Sequence, residues 1–138
     1  MLIPKKVKHR KWHKSAGTSG NLASRAREVS FGSFGLKALS SSWISSRQIE
    51  AVRRVLVRYT RKGGKVWIRI FQDKPVTLKG SEVPMGSGKG AVDHFVVSVN
   101  PGTVMFELDG IDETLAKEAL ISAAHKLPVK ARFIKRYE

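Results

Sequence analysis

Apolar residues fall at helical spacing in two stretches of the chain and alternate with polar ones over most of what lies between. Ile49, Val52, Val55, Leu56 and Tyr59 recur three and four positions apart, which predicts a helix with one buried stripe, running to about Arg61. Ser45 is placed to cap it, Gln48 completes a capping box three residues on, and Ile44 can staple across to Ile49. Gly63 and Gly64 end it. A second helix is predicted from an Asp112 cap to about Lys126, with Leu115, Ala116, Ala119, Leu120 and Ala123 along one side. So many small residues let it lie close against a sheet, and Pro128 stops it.

Alternation marks the strands. Glu28 to Leu39 reads as one, anchored by Val29, Phe31 and Phe34 and bent at Gly32 and Gly35. Lys65 to Phe71 sets Val66, Ile68 and Ile70 on one face and Lys65, Trp67 and Arg69 on the other. Trp67, between two cations, either stacks on a base or packs under a loop. Asp73 to Pro75 reads as a turn, with a brief pairing segment from Val76 to Leu78. Asp93–Val99 and Thr103–Leu108 read as two strands of a hairpin joined by Asn100, Pro101 and Gly102, since Pro presets the first central turn position and Gly accepts positive φ at the second. Val129 to Ile134 closes the fold, with Val129, Ala131 and Phe133 inward and Lys130 and Arg132 outward. This order predicts an α+β fold: a mixed sheet with two helices packed on one face.

Composition adds an appendage to that picture. The chain has 138 residues, 41% of them apolar, which suits a single core. Residues 1–27 stand apart: they hold Lys5, Lys6, Lys8, Arg10, Lys11, Lys14, Arg25 and Arg27 and no acidic residue. The expected organisation is an extended basic N-terminal arm over 1–27, ordered on binding, and one α+β domain over 28–138. His9, Trp12 and His13 interleave rings with the arm's cations, a mixture suited to RNA, whose unpaired bases stack while its phosphates meet Lys and Arg. The whole chain carries 26 Lys and Arg against 11 Asp and Glu, a net charge of +15 that a polyanion would offset. On the first helix, Arg47, Arg54, Arg58 and Arg61 fall opposite the apolar stripe, and Lys62 and Lys65 continue the row as a track for phosphates.

No cysteine is present, which excludes disulfides, thiolate metal sites and cysteine nucleophiles. No apolar run reaches the roughly 18 residues of a membrane span. The one motif with a phosphate-binding look is PMGSGKG, residues 84–90, in a loop expected over 80–92. It is not a nucleotide cradle: Val83 stands where the Walker pattern needs its first Gly, and Gly90 follows Lys89 where Ser or Thr is required. Lying between strands, the loop also lacks a helix N-terminus to add its dipole. Asp109, Asp112 and Glu113 gather at a helix start, where acids ordinarily cap, and His94 has no partner motif. No catalysis, cofactor, metal or homo-oligomer is expected.

VSFGSFGLKAL, the RQIEAVRR helix, GKVWIRIFQDKPVT, the MGSGKG loop, PGTVMFELDG and AKEAL to KLP follow one another in an order similar to that of the large-subunit ribosomal protein sixteen family of bacterial type. The basic start LIPKKVKHRKWHK extends the likeness over nearly the whole chain. The resemblance implies an α/β-hammerhead-type fold and a non-catalytic role in the large subunit. It implies binding to 23S-type rRNA, neighbouring ribosomal proteins and a place beside the A-site and P-site tRNAs. It makes Lys5 to Lys14 rRNA contacts, and sets Lys79, Met85, Gly86, Ser87, Gly88, Lys89 and Gly90 next to tRNA. The implied setting is the cytoplasmic ribosome, with an organellar one as the alternative. One position departs from the pattern: many bacterial members carry a hydroxylatable arginine before the loop methionine, where this chain has Pro84. The rival reading is a non-ribosomal nucleic-acid-binding or chaperone protein.

Overall fold

The computed structural model describes residues 3–6, 11, 22–61, 63–78 and 88–136. In chain order these form β1 (Phe34–Ala38), β2 (Ser42–Ser45), α1 (Ser46–Tyr59), β3 (Lys65–Ile68), β4 (Lys74–Leu78), β5 (Ala91–Val99), β6 (Val104–Asp109), α2 (Glu113–Ala124) and β7 (Ala131–Lys135). The strands make two sheets, one of four in the order β3-β6-β1-β7 and one of three in the order β2-β5-β4. Every pairing is antiparallel, which replaces the expected single mixed sheet.

Helix α1 begins as its sequence dictates. The Ser45 hydroxyl accepts from the Gln48 N–H at 3.3 Å while the Gln48 side chain accepts from the Ser45 N–H at 2.9 Å, a complete capping box. Ile49, Val52, Val55 and Leu56 are buried along its inner side. The helix ends at Tyr59, two residues short of Arg61, with Thr60 as its C-cap and Gly63 at φ +105° in the turn that follows. Helix α2 packs against α1 and lies over β1 and β7, while α1 touches β2, β3 and β5. Ala116, Ala119, Leu120 and Ala123 are fully buried there with Leu36, Phe106 and Leu108, as a small-residue stripe permits.

Residues 93–108 are not a hairpin. Asn100 to Thr103 does make the expected turn, with the Thr103 N–H on the Asn100 carbonyl at 3.3 Å and Gly102 at φ +95°, but β5 pairs only in the three-stranded sheet and β6 only in the four-stranded one. The turn is a crossing between sheets. Burial gives the reason: every residue from Val104 to Leu108 is buried, so β6 needs neighbours on both edges and cover on both faces, which one hairpin partner does not provide. Pro75 likewise lies in β4, opposite Phe95, in place of the expected turn; β4 is an edge strand, where a missing N–H is tolerated.

The stretch before β1 departs furthest from expectation. Register aligns Trp67, Glu107, Gly35 and Ile134 in one row across the face of the four-stranded sheet turned away from the helices. Glu107 is fully buried, and its Oε1 accepts from the N–H groups of Ser30, Phe31 and Gly32 at 3.1, 2.7 and 2.8 Å. Those amides are thereby withdrawn from strand pairing, so residues 28–32 cross the sheet instead of extending β1, while Ser33 still bonds to Leu108 and Arg136 on either side. Gly32 fits because any Cβ there would stand 2.5 Å from the Leu108 carbonyl oxygen. Arg69, expected outward, turns onto Glu107 with Nη1 3.0 Å from Oε2. Trp67 is covered by the crossing segment and stacks on Phe31 with ring centroids 6.3 Å apart, which decides for packing under a loop. Phe31, expected as a buried anchor, is 56% exposed.

Candidate nucleic-acid interface

The arginines of α1 present themselves as the helical period requires. Arg47, Arg54, Arg58 and Arg61 are all exposed, on the side opposite the buried stripe. The row is not uniformly available. Glu50, one turn before Arg54, takes two hydrogen bonds from Arg53 and stands 3.5 Å from Arg54, so part of the Arg54 charge is already answered. The Arg53 hydrogen bonds hold the Glu50 carboxyl below its usual range, and that same carboxylate raises Arg53 above the usual arginine value. Arg47, Arg58 and Arg61 have no acidic partner among the described residues and form the least compensated part of the row. Lys62 lies outside the described residues.

The glycine loop connects adjacent antiparallel strands, since Leu78 at the end of β4 pairs with Ala91 at the start of β5. No helix follows it, in agreement with the exclusion of a nucleotide cradle. Of its residues, Gly88, Lys89 and Gly90 are described; Lys79, Met85, Gly86 and Ser87 lie outside the described residues. Gly88 takes φ +92°, and a Cβ there would meet nothing within 4 Å. His94 on β5 is exposed with Nδ1 2.7 Å from Asp93.

Of the arm's candidates, Lys5, Lys6, Lys11, Arg25 and Arg27 are described and exposed; Lys8, His9, Arg10, Trp12, His13 and Lys14 lie outside the described residues. Lys11 Nζ donates to the Lys89 carbonyl at 3.2 Å, which brings an arm cation to the base of the glycine loop. Ile3 shares a cleft with Arg47, His94 and Phe95. The other end of the arm belongs to the body. The Ala23 N–H bonds to the Pro101 carbonyl at 2.9 Å, the Ala26 carbonyl accepts from the Val104 N–H at 2.6 Å, and Ala23 is buried. These attachments are backbone bonds, which aperiodic side chains do not announce. Sequence reasoning also passed over Glu107; its one signal was an acid in the middle of an otherwise apolar strand.

Among the described residues no group of His, Asp and Glu could hold a metal ion, and no helix is long and apolar enough to cross a membrane. What the geometry offers is exposed cations on one helix, the end of a glycine loop leading into β5, and an arm lysine bonded to that end at Lys89. A family model described as ribosomal protein L16p/L10e matches residues 4–134. That match spans both sheets and both helices, and the chain therefore belongs to the ribosomal protein L16p/L10e family, structural and non-enzymatic constituents of the large ribosomal subunit.

Proposed function

We propose that the chain binds 23S-type rRNA through its arm and the α1 arginines, and that its glycine loop lies beside the A-site and P-site tRNAs, supporting subunit assembly and tRNA positioning. The observation that carries this is the junction of arm and loop, where the Lys11 ammonium donates to the backbone carbonyl of Lys89 and so sets an arm cation at the start of the loop's returning limb. The positive φ of Gly88 suits close approach to an RNA backbone, and exposed Arg58 and Arg61 suit phosphates. On this reading the protein works in the ribosome of the cytoplasm or of an organelle, with an α/β-hammerhead-type body and a basic arm over residues 1–27, against rRNA and neighbouring ribosomal proteins.

Sedimentation of the full chain with large subunits through a sucrose gradient at high salt tests this. Stable cosedimentation is expected; release into the light fractions would overturn the ribosomal assignment in favour of a general nucleic-acid chaperone. The arm's eight cations predict a log–log salt slope of roughly −6 to −7 from that segment alone. Deleting residues 1–27 should flatten the slope markedly, and an unchanged slope would remove the arm from the interface.

A further inference from the structure

Lys37 on β1 and Arg132 on β7 stand directly opposite each other in an antiparallel ladder. Their neighbours Leu36 and Phe133 turn into the core beneath the helices, so Lys37 and Arg132 share the face turned away from them. Like charges opposed in this way weaken a sheet. Neither has an acidic partner among the described residues. Both line a cleft of about 700 Å³, bounded by Glu28 and Val29 of the crossing segment and by Arg27 and Arg136. Lys135, also at this cleft, is held by Glu113 at 2.9 Å, and Arg136 reaches the Gly32 carbonyl at 3.5 Å. A sheet that sets two cations against each other inside a recess, with two arginines at its walls, is built at a cost that an anion between them would cancel.

We infer that this cleft is a second RNA site, taking the sugar–phosphate backbone of a strand between Lys37 and Arg132. The inference rests on the RNA-binding reading given above and adds to it a surface on the opposite side of the molecule. Arginine favours phosphate here because its planar fork can donate two parallel hydrogen bonds to one phosphate group. The α1 row and the cleft lie on opposite sides of the four-stranded sheet, so they meet different stretches of RNA and the protein ties the two together.

The test uses the full chain carrying Lys37→Gln and Arg132→Gln together. Without RNA, the variant should unfold at the same or a higher temperature than the wild type, because a repulsion has been removed. Its affinity for large-subunit rRNA should fall, and its log–log salt slope should be shallower by roughly 1.4 to 1.8, the value of two phosphate contacts. Lys37→Arg, which keeps the charge, should bind as the wild type does. In reconstituted particles, chemical probing should show a set of backbone protections lost in the double variant and kept in an Arg58→Ala, Arg61→Ala variant. Unchanged affinity and slope in a double variant whose wild type binds rRNA would overturn the cleft alone. Unchanged protections would also overturn it, and would leave an acidic neighbouring protein as the occupant. Loss of affinity matched by loss of thermal stability would make the pair structural, again against the inference. A wild type that does not bind rRNA would overturn the RNA-binding reading itself, and the cleft with it.

Discussion

Arg69 and Glu107 form an ion pair nearly removed from solvent, with Nη1 3.0 Å from Oε2 and side-chain exposures of 16% and 0%. Arg69 also donates to the Glu28 carbonyl at 2.7 Å and lies over the Phe31 ring. One carboxylate therefore fixes both a strand end and the segment that crosses it. Glu107→Leu strands a buried guanidinium and three amides, and should cost about 3 to 5 kcal/mol, read as a fall in the urea midpoint. Removing both charges in Glu107→Leu/Arg69→Met should not restore the loss, since the amides of residues 30–32 still lack an acceptor. A double variant as stable as the wild type would refute this.

Gly32→Ala forces a methyl group against the Leu108 carbonyl oxygen, where backbone and not a flexible side chain must move. About 1 to 3 kcal/mol should be lost. Hydrogen exchange should quicken at the amides of Phe31 and Gly32, which Glu107 holds; exchange that stays slow would mean that the crossing segment keeps its place.

Ser45→Ala removes half of the α1 capping box and should cost about 1 kcal/mol. Thermal melts of the free protein measure it directly.

Acid should weaken α1 through Glu50. Its folded value lies below the ordinary 4.5 because Arg53 donates to it, so the pair stabilises above the ordinary value and is lost as pH falls through the lowered one. At neutral pH, Glu50→Gln should lose about 0.3 to 0.5 kcal/mol, as a helical ion pair does. The gap between wild type and variant should close on acidification; a gap that persists in acid would assign the effect to something other than charge.

Arg58→Ala with Arg61→Ala should leave stability within about 0.5 kcal/mol, since both side chains are exposed. Affinity for rRNA should nonetheless drop, with a salt slope shallower by roughly 1.4 to 1.8. Binding indistinguishable from wild type would reduce the arginine row to a solvated face.

Where one local rule decides a feature, the sequence was readable. Ser45 and Gln48 specify a helix start by themselves, and the α1 stripe follows from period alone. Asp112 occupies the expected cap position of α2, although its side chain makes no capping bond. The larger failures are non-local. SWIS contains one buried residue, Ile44, and looked like helix entry; pairing with residues 96–99 makes it a strand. Asn100 to Gly102 obeys turn chemistry, yet that chemistry does not say whether the flanking strands share a sheet. Trp67 and Arg69 alternate correctly with Val66 and Ile68, but alternation does not reveal that residues 28–32 will lie across their face. The candidate site divides in the same way: the helix arginines and the loop are legible from spacing, whereas Lys37 and Arg132 acquire meaning only once β1 and β7 are known to pair.

Lys11 and Lys89 are separated by 78 positions and joined by one exposed hydrogen bond. That bond makes the electrostatic potential at the foot of the glycine loop a composite of two distant parts of the chain. On the proposed reading, Pro84 adds no charge to the loop, and Lys11 supplies part of what the loop would offer an approaching phosphate. Shortening the arm is thus also a way of mutating the loop.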